Sequence, residues 1–107
     1  MNALEGTFIK IGSNCLLSNN IELHTSDYHS ILNKDNQRIN PAKSIIIENH
    51  VWIGLKSIIL KGTIIKENSI VAAGSLVNHQ FNENNILIAG SPASIKKSNI
   101  SWIKEKI

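Results

Sequence analysis

Asp27 and His29 stand two residues apart in the polar stretch TSDYHSILNKDNQRINPAKS, which fills residues 25–44. Imidazole has an ordinary pKa of about 6.5, so a histidine here can take a proton from an attacking hydroxyl near neutral pH. A carboxylate two residues earlier can accept from the second ring nitrogen, fixing the tautomer and favouring the imidazolium that forms. Asp27 can equally bind an acceptor hydroxyl, or turn the backbone as an Asx residue. A loop histidine is also often only a solvated surface group. His24, a few residues upstream, closes a regular segment and reads as structural.

The elements around this stretch follow one rule. Ile47, Ile53, Ile59, Ile65, Val71 and Val77 recur every six residues, and Val51, Ser57, Thr63, Ser69 and Ser75 hold a small or β-branched residue four places into each hexad. No helix has period six, and a simple two-faced strand would alternate. A hexapeptide repeat means short strands and tight corners wound into a parallel solenoid. Ile11, Leu17 and Leu23 carry the same phase upstream, with Ile9, Cys15 and Ile21 as companions. Leu23 and Ile47 are 24 residues apart, a whole number of hexads, so residues 25–44 interrupt the repeat without shifting it. An excursion of that length in a regular solenoid points to function or disorder.

Three hexads per turn give about one coil in residues 5–24 and two in residues 45–78. NHQFNENN then reads as a turn, residues 86–89 as one more strand, and Gly90-Ser91-Pro92 as the stop. Ile100, Ile103 and Ile107 are spaced as on a helix, so residues 98–107 are expected to form a short helix over the last coil. Outward aliphatics at Ile46, Ile58, Leu60, Ile64 and Ile70 leave an apolar flank. With so few coils and no cap ahead of the first, this predicts an oligomer.

Composition narrows the function. The net charge is +3, with Lys96, Lys97, Lys104 and Lys106 crowded near the end, and only five residues are aromatic. Nucleic-acid surfaces show broader basic stripes with interleaved aromatics, whereas a local cluster suits a phosphate or a solvated tail. The lone Cys15 can form no internal disulfide and reads as core. No apolar run is long enough to span a membrane and there is no signal-peptide layout, so a cytoplasmic location is expected. The abundance of Ile, Asn and Lys is attributable in part to an AT-rich coding sequence.

The string IIIENHVWIGLKSIILKGTIIKENSIVAAGSLV (residues 45–77), followed by ILIAGSPASIKK (residues 86–97), resembles the hexapeptide-repeat acyltransferases. Within them the sugar and polysaccharide O-acetyltransferases are most similar, because a TSDxHxI-like loop precedes an HVWIG coil. Here these are residues 25–31 and residues 50–54. The resemblance implies an all-β left-handed parallel β-helix, homotrimers with active sites between subunits, and acetyl-CoA as co-substrate with no metal. It implies acetyl transfer to a sugar or surface-polysaccharide hydroxyl by direct attack, with His29 as general base, Asp27 beside it and Trp52 in the active site. Backbone N–H groups near residues 52–54 are candidate oxyanion donors, with Gly54 allowing the thioester close. By motif position Leu55, Ala73 and Gly74 would line the pantetheine arm, and Asn78, His79 and Lys97 the nucleotide end. The chain departs from the family in having little ahead of the first motif, so part of an acceptor pocket is expected to be missing or to lie in a longer protein. It also has Ser94 where a basic residue usually follows Pro-Ala, which passes that contact to Lys96 or Lys97.

Two rival readings use the same fold. The spacing of His24 and His29 is similar to that of two zinc-binding histidines in gamma-type carbonic anhydrases, with His50 or His79 as a third ligand. A non-catalytic β-helix used for assembly is the other.

Overall fold

The computed structural model describes residues 1–107. With an inward aliphatic every sixth position and a corner between, each coil has room for three strands of two or three residues, one per face. On the first face β1 (Ile9–Ile11), β4 (Ile45–Ile47) and β7 (Ile64–Ile65) stack in order. The second face holds β2 (Leu16–Leu17), β5 (Trp52–Ile53), β8 (Ile70–Val71), β10 (Ile86–Gly90) and β11 (Ala93–Ser98). The third holds β3 (Glu22–Leu23), β6 (Ile58–Ile59) and β9 (Leu76–Val77). Every pairing is parallel except that of β10 with β11. Ile46 pairs with Ile64, Trp52 with Ile70 and Ile58 with Leu76, so one coil is 18 residues. The result is a left-handed parallel β-helix measuring 57 × 22 × 21 Å.

The core is the repeat itself. Ile47, Ile53, Ile59, Ile65, Val71 and Val77 are all buried, and each contributes roughly 1.5–3 kcal/mol of apolar burial. The companion positions Val51, Ser57, Thr63, Ser69 and Ser75 are buried too, at the corners. Their hydroxyls meet backbone groups: Ser57 Oγ donates to the Ala72 carbonyl (3.1 Å), Thr63 Oγ1 to Leu60 (2.8 Å) and Val77 (3.1 Å), Ser75 Oγ to Ala72 (2.7 Å). A small hydroxyl residue recurs there because the corner is too tight for a large side chain and carries carbonyls that need donors. Asn14, Asn20, Asn68 and Asn85 turn corners with φ between 57° and 63°. Asparagine tolerates this left-handed conformation better than most residues, so its abundance has a physical cause and is not only a matter of coding composition.

The expectations for the excursion and for the tail meet the structure differently. Residues 25–44 do leave and rejoin the solenoid in phase: Trp52 pairs with Leu16, 36 positions back instead of 18, so the excursion adds one coil's worth of chain. The helix expected over residues 98–107 is absent. After Pro92 the chain reverses into β11, which pairs antiparallel with β10, and the remainder runs as irregular backbone. The aliphatic spacing misleads because Ile103 and Ile107 are exposed, while the residue that anchors the tail is Trp102, only 7% exposed.

Candidate active site

The excursion leaves the edge where the third face turns into the first. Leu23 pairs with Ile59, and two residues beyond on each coil stand Thr25 and Lys61. Lys61 therefore lies directly under the exit of the loop. Its Nζ sits 2.7 Å from Asp27 Oδ2 and donates to the Pro41 carbonyl at 3.1 Å. Asn40, buried beneath the loop, joins its two legs. Its Nδ2 donates to Asp27 Oδ2 (2.9 Å) and to the His29 carbonyl (2.8 Å), and its Oδ1 accepts from Ile31 N–H (2.7 Å) and Arg38 Nε (3.2 Å). Arg38 also pairs with Glu5, which accepts from the Ser26 hydroxyl. Bonds from Arg38 and Ser26 hold Glu5 down to about 2, and those from Lys61 and Asn40 hold Asp27 below the usual carboxylate range.

Of the three readings of Asp27, the bond to the His29 ring is not made in this structure; Lys61 and Asn40 both meet its carboxylate at Oδ2. The His29 side chain is exposed and free of hydrogen bonds within the chain, open to a reactant, while its backbone carbonyl is tied down. His24 is structural as expected: its ring nitrogens lie 2.5 Å from Tyr28 Oη and 2.9 Å from Glu22 Oε1. Asn40 and Lys61 were not legible in the sequence; a lone Asn before Pro and a Lys before Gly carry no distinctive pattern.

Below the loop on the same edge lies a polar cavity of about 450 Å³, lined by Asp27, Lys43, Lys61, Asn78 and His79 among others. Asn78 and His79 thus sit beneath Asp27. Lys97, expected to join them at a nucleotide end, lies on β11 of the second face instead.

A second, largely apolar groove of about 410 Å³ runs along the second face toward its edge with the third, lined by Trp52, Gly54, Leu55, Ile70, Ala73 and Leu87 among others. Four of the expected cofactor and catalytic residues therefore converge, and Gly74 joins them by donating its N–H to the Leu55 carbonyl at 2.8 Å. Gly54 has a reason within the chain itself. A Cβ there would stand 2.6 Å from Ala73 N and 2.8 Å from the Val71 carbonyl oxygen, so the next coil by itself demands the glycine. Trp52 packs against Trp102, centroids 5.9 Å apart, and its buried Nε1 has no partner in the chain. Trp102 stacks flat on His50 at 4.1 Å and donates its own N–H to the His50 carbonyl at 2.9 Å. His50 in turn meets Asn68 Oδ1 through Nδ1 at 2.8 Å.

The histidines of the zinc reading do not converge. His24 and His29 belong to the loop edge, whereas His50 lies at the corner between the first and second faces, and no three His, Cys, Asp or Glu side chains gather within the chain. The loop bearing His29 and the groove bearing Trp52 also occupy different edges of the prism.

Comparison with known proteins agrees with the architecture. The model for "Hexapeptide repeat of succinyl-transferase" matches residues 44–79. A polysialic acid O-acetyltransferase of Neisseria meningitidis is 44% identical over 95 residues, which is 88% of this chain and 44% of that protein. A crystal structure of a polysialic acid O-acetyltransferase superposes with a TM-score of 0.89 at 42% identity, covering 92% of this chain and 47% of the other. A hexapeptide-repeat acetyltransferase of Vibrio cholerae, complexed with acetyl coenzyme A, superposes with a TM-score of 0.60 at 25% identity, over 85% of this chain and 64% of the other. The chain thus spans about half or less of the length of the polysialic acid enzymes it matches. It belongs to the hexapeptide-repeat acyltransferase family, in the branch that holds the sugar and polysaccharide O-acetyltransferases.

Proposed function

We propose that the chain forms the β-helical, catalytic part of an acetyl-CoA-dependent O-acetyltransferase acting on a hydroxyl of a sugar or surface-polysaccharide precursor in the cytoplasm. The observation that carries this is the likeness to a polysialic acid O-acetyltransferase over nine-tenths of the chain. His29 takes the proton of the acceptor hydroxyl as its oxygen attacks the acetyl carbonyl, and the imidazolium returns that proton to the departing thiolate. Backbone N–H groups of the groove coil face the developing oxyanion. The apolar lining of the groove, with Leu55 and Ala73 in it and Gly74 beside them, suits a pantetheine arm. Asn78 and His79 supply donors for the nucleotide portion.

A second copy is part of this reading. Loop and groove lie on different edges of one prism, so a neighbour's groove brought against the loop completes the site, as in a trimer closed by threefold symmetry. Half-buried outward aliphatics at Ile46, Ile58, Ile64 and Ile70 provide apolar surface for that contact.

The experiment is release of free coenzyme A thiol from acetyl-CoA with a panel of acidic and neutral sugars, for wild type and His29→Ala. Sugar-dependent release that falls by roughly 10²–10⁴ in the variant supports the base. Release unchanged by the substitution overturns it. Coenzyme A binding without turnover on any sugar moves the chain to the assembly reading.

A further inference from the structure

The loop that bears His29 is tied to the β-helix by polar contacts on either side of that residue. The loop leaves a helix edge with no secondary structure of its own beyond a single Leu32–Arg38 bridge. A segment so exposed, with Tyr28 48% and Ile31 55% accessible, has little apolar burial to hold it in place. What holds the residues on both sides of His29 is polar: Tyr28 N–H donates to Ser26 Oγ, Ile39 N–H to the Ile31 carbonyl, and two more distant positions add the rest. Lys61, on the next coil, grips Asp27 before His29 and the Pro41 carbonyl on the return leg. Asn40 receives Ile31 N–H after His29, and donates to the His29 carbonyl and to Asp27.

We propose that Lys61, Asn40 and Asp27 form a positioning triad that fixes the backbone of His29 against the β-helix, so that the imidazole is presented in one place while remaining free of hydrogen bonds. This rests on the reading of His29 as the base. The geometry separates it from ordinary stabilisation. The Lys61 and Asp27 side chains are 22% and 38% exposed, and ion pairs that exposed contribute little to global stability. Asn40 is buried and each of its amide atoms serves two partners, all of them within the loop. Removing either therefore releases the loop and leaves the solenoid standing. Asp27 is held below the usual carboxylate range, so the Lys61 bridge persists at neutral pH.

The test compares the full chain with Lys61→Met, Lys61→Arg and Asn40→Asp, by amide hydrogen exchange without substrate and by kcat and KM with acetyl-CoA. Exchange of the Ile31 amide is expected to quicken at least about tenfold in Lys61→Met and in Asn40→Asp, which keeps the Ile31 acceptor but loses both donations and sets a second carboxylate against Asp27, with core strand amides unmoved and Lys61→Arg close to wild type. kcat is expected to fall by up to about a hundredfold, with KM for acetyl-CoA shifting less than about threefold. Wild-type protection of the loop in Lys61→Met overturns the triad. So does lost protection with full kcat, where His29→Ala abolishes turnover. If His29→Ala also keeps turnover, the base reading fails and the exchange data alone decide the triad. Should Asn40→Asp not fold, Lys61→Met, a substitution on a half-exposed corner, carries both measurements.

Discussion

Single residues here serve the helix first and chemistry second. Gly54 belongs to the HVWIG coil that would receive a thioester, yet the backbone of the next coil fills the space a side chain would need. Gly54→Ala is therefore expected to cost about 1–3 kcal/mol by overpacking, read as a lower urea midpoint with no ligand present. A stable variant impaired only in acetyl-CoA binding would restore the ligand-approach explanation. The carboxylates that anchor the loop make a prediction in pH. Glu5 is depressed from 4.5 to about 2 by Arg38 and Ser26, and Asp27 is lowered by Lys61. A depressed acid stabilises the folded state above its unfolded pKa and stops doing so as pH falls through its folded one. Loop anchoring is thus expected to be complete above pH 4.5 and lost toward pH 2, measured as amide protection of residues 27–31 relative to the core. Equal loss in loop and core would show that the pairs have no local role.

Among the elements, the tail departs most from its sequence pattern. Aliphatic spacing points to a helix, but one buried aromatic decides the path: Trp102 stacks on His50 and covers Trp52. These are the only two tryptophans, so Trp102→Ala leaves Trp52 as the sole indole reporter. Its emission is expected to shift to the red as the tail lifts, and stability to drop by about 3 kcal/mol. Unshifted emission would mean the tail holds its place by the β10–β11 pairing alone. The strands of the solenoid behave as their repeat requires, since the period of six leaves each inward side chain nowhere else to go.

At the scale of the molecule, a prism about 22 Å across has a core only one side chain deep, and its site halves lie on separate edges. Light scattering is expected to give three times the chain mass. A sharper measure is complementation: His29→Ala mixed with a Trp52→Ala variant, each inactive alone, should recover about a quarter of wild-type turnover if loop and groove come from different copies in randomly mixed trimers. No recovery in confirmed mixed trimers would place both halves in one chain.

The sequence alone determined the solenoid, its coil boundaries, the in-phase excursion and the candidate histidine, because a period-six pattern and a break in it are local statements about which residues must face inward. Tertiary structure decided what no spacing encodes. It placed Lys61 beneath Asp27, 34 residues away in sequence, and Asn40 between the two legs of the loop. It separated Lys97 from Asn78 and His79 on different faces, and set Trp102 against Trp52 in place of a helix. In a β-helix, residues a coil apart become neighbours only once the winding is complete, and a loop that leaves the winding obeys no repeat. Contacts at that edge depend on where the chain returns, which hydrophobic periodicity does not record.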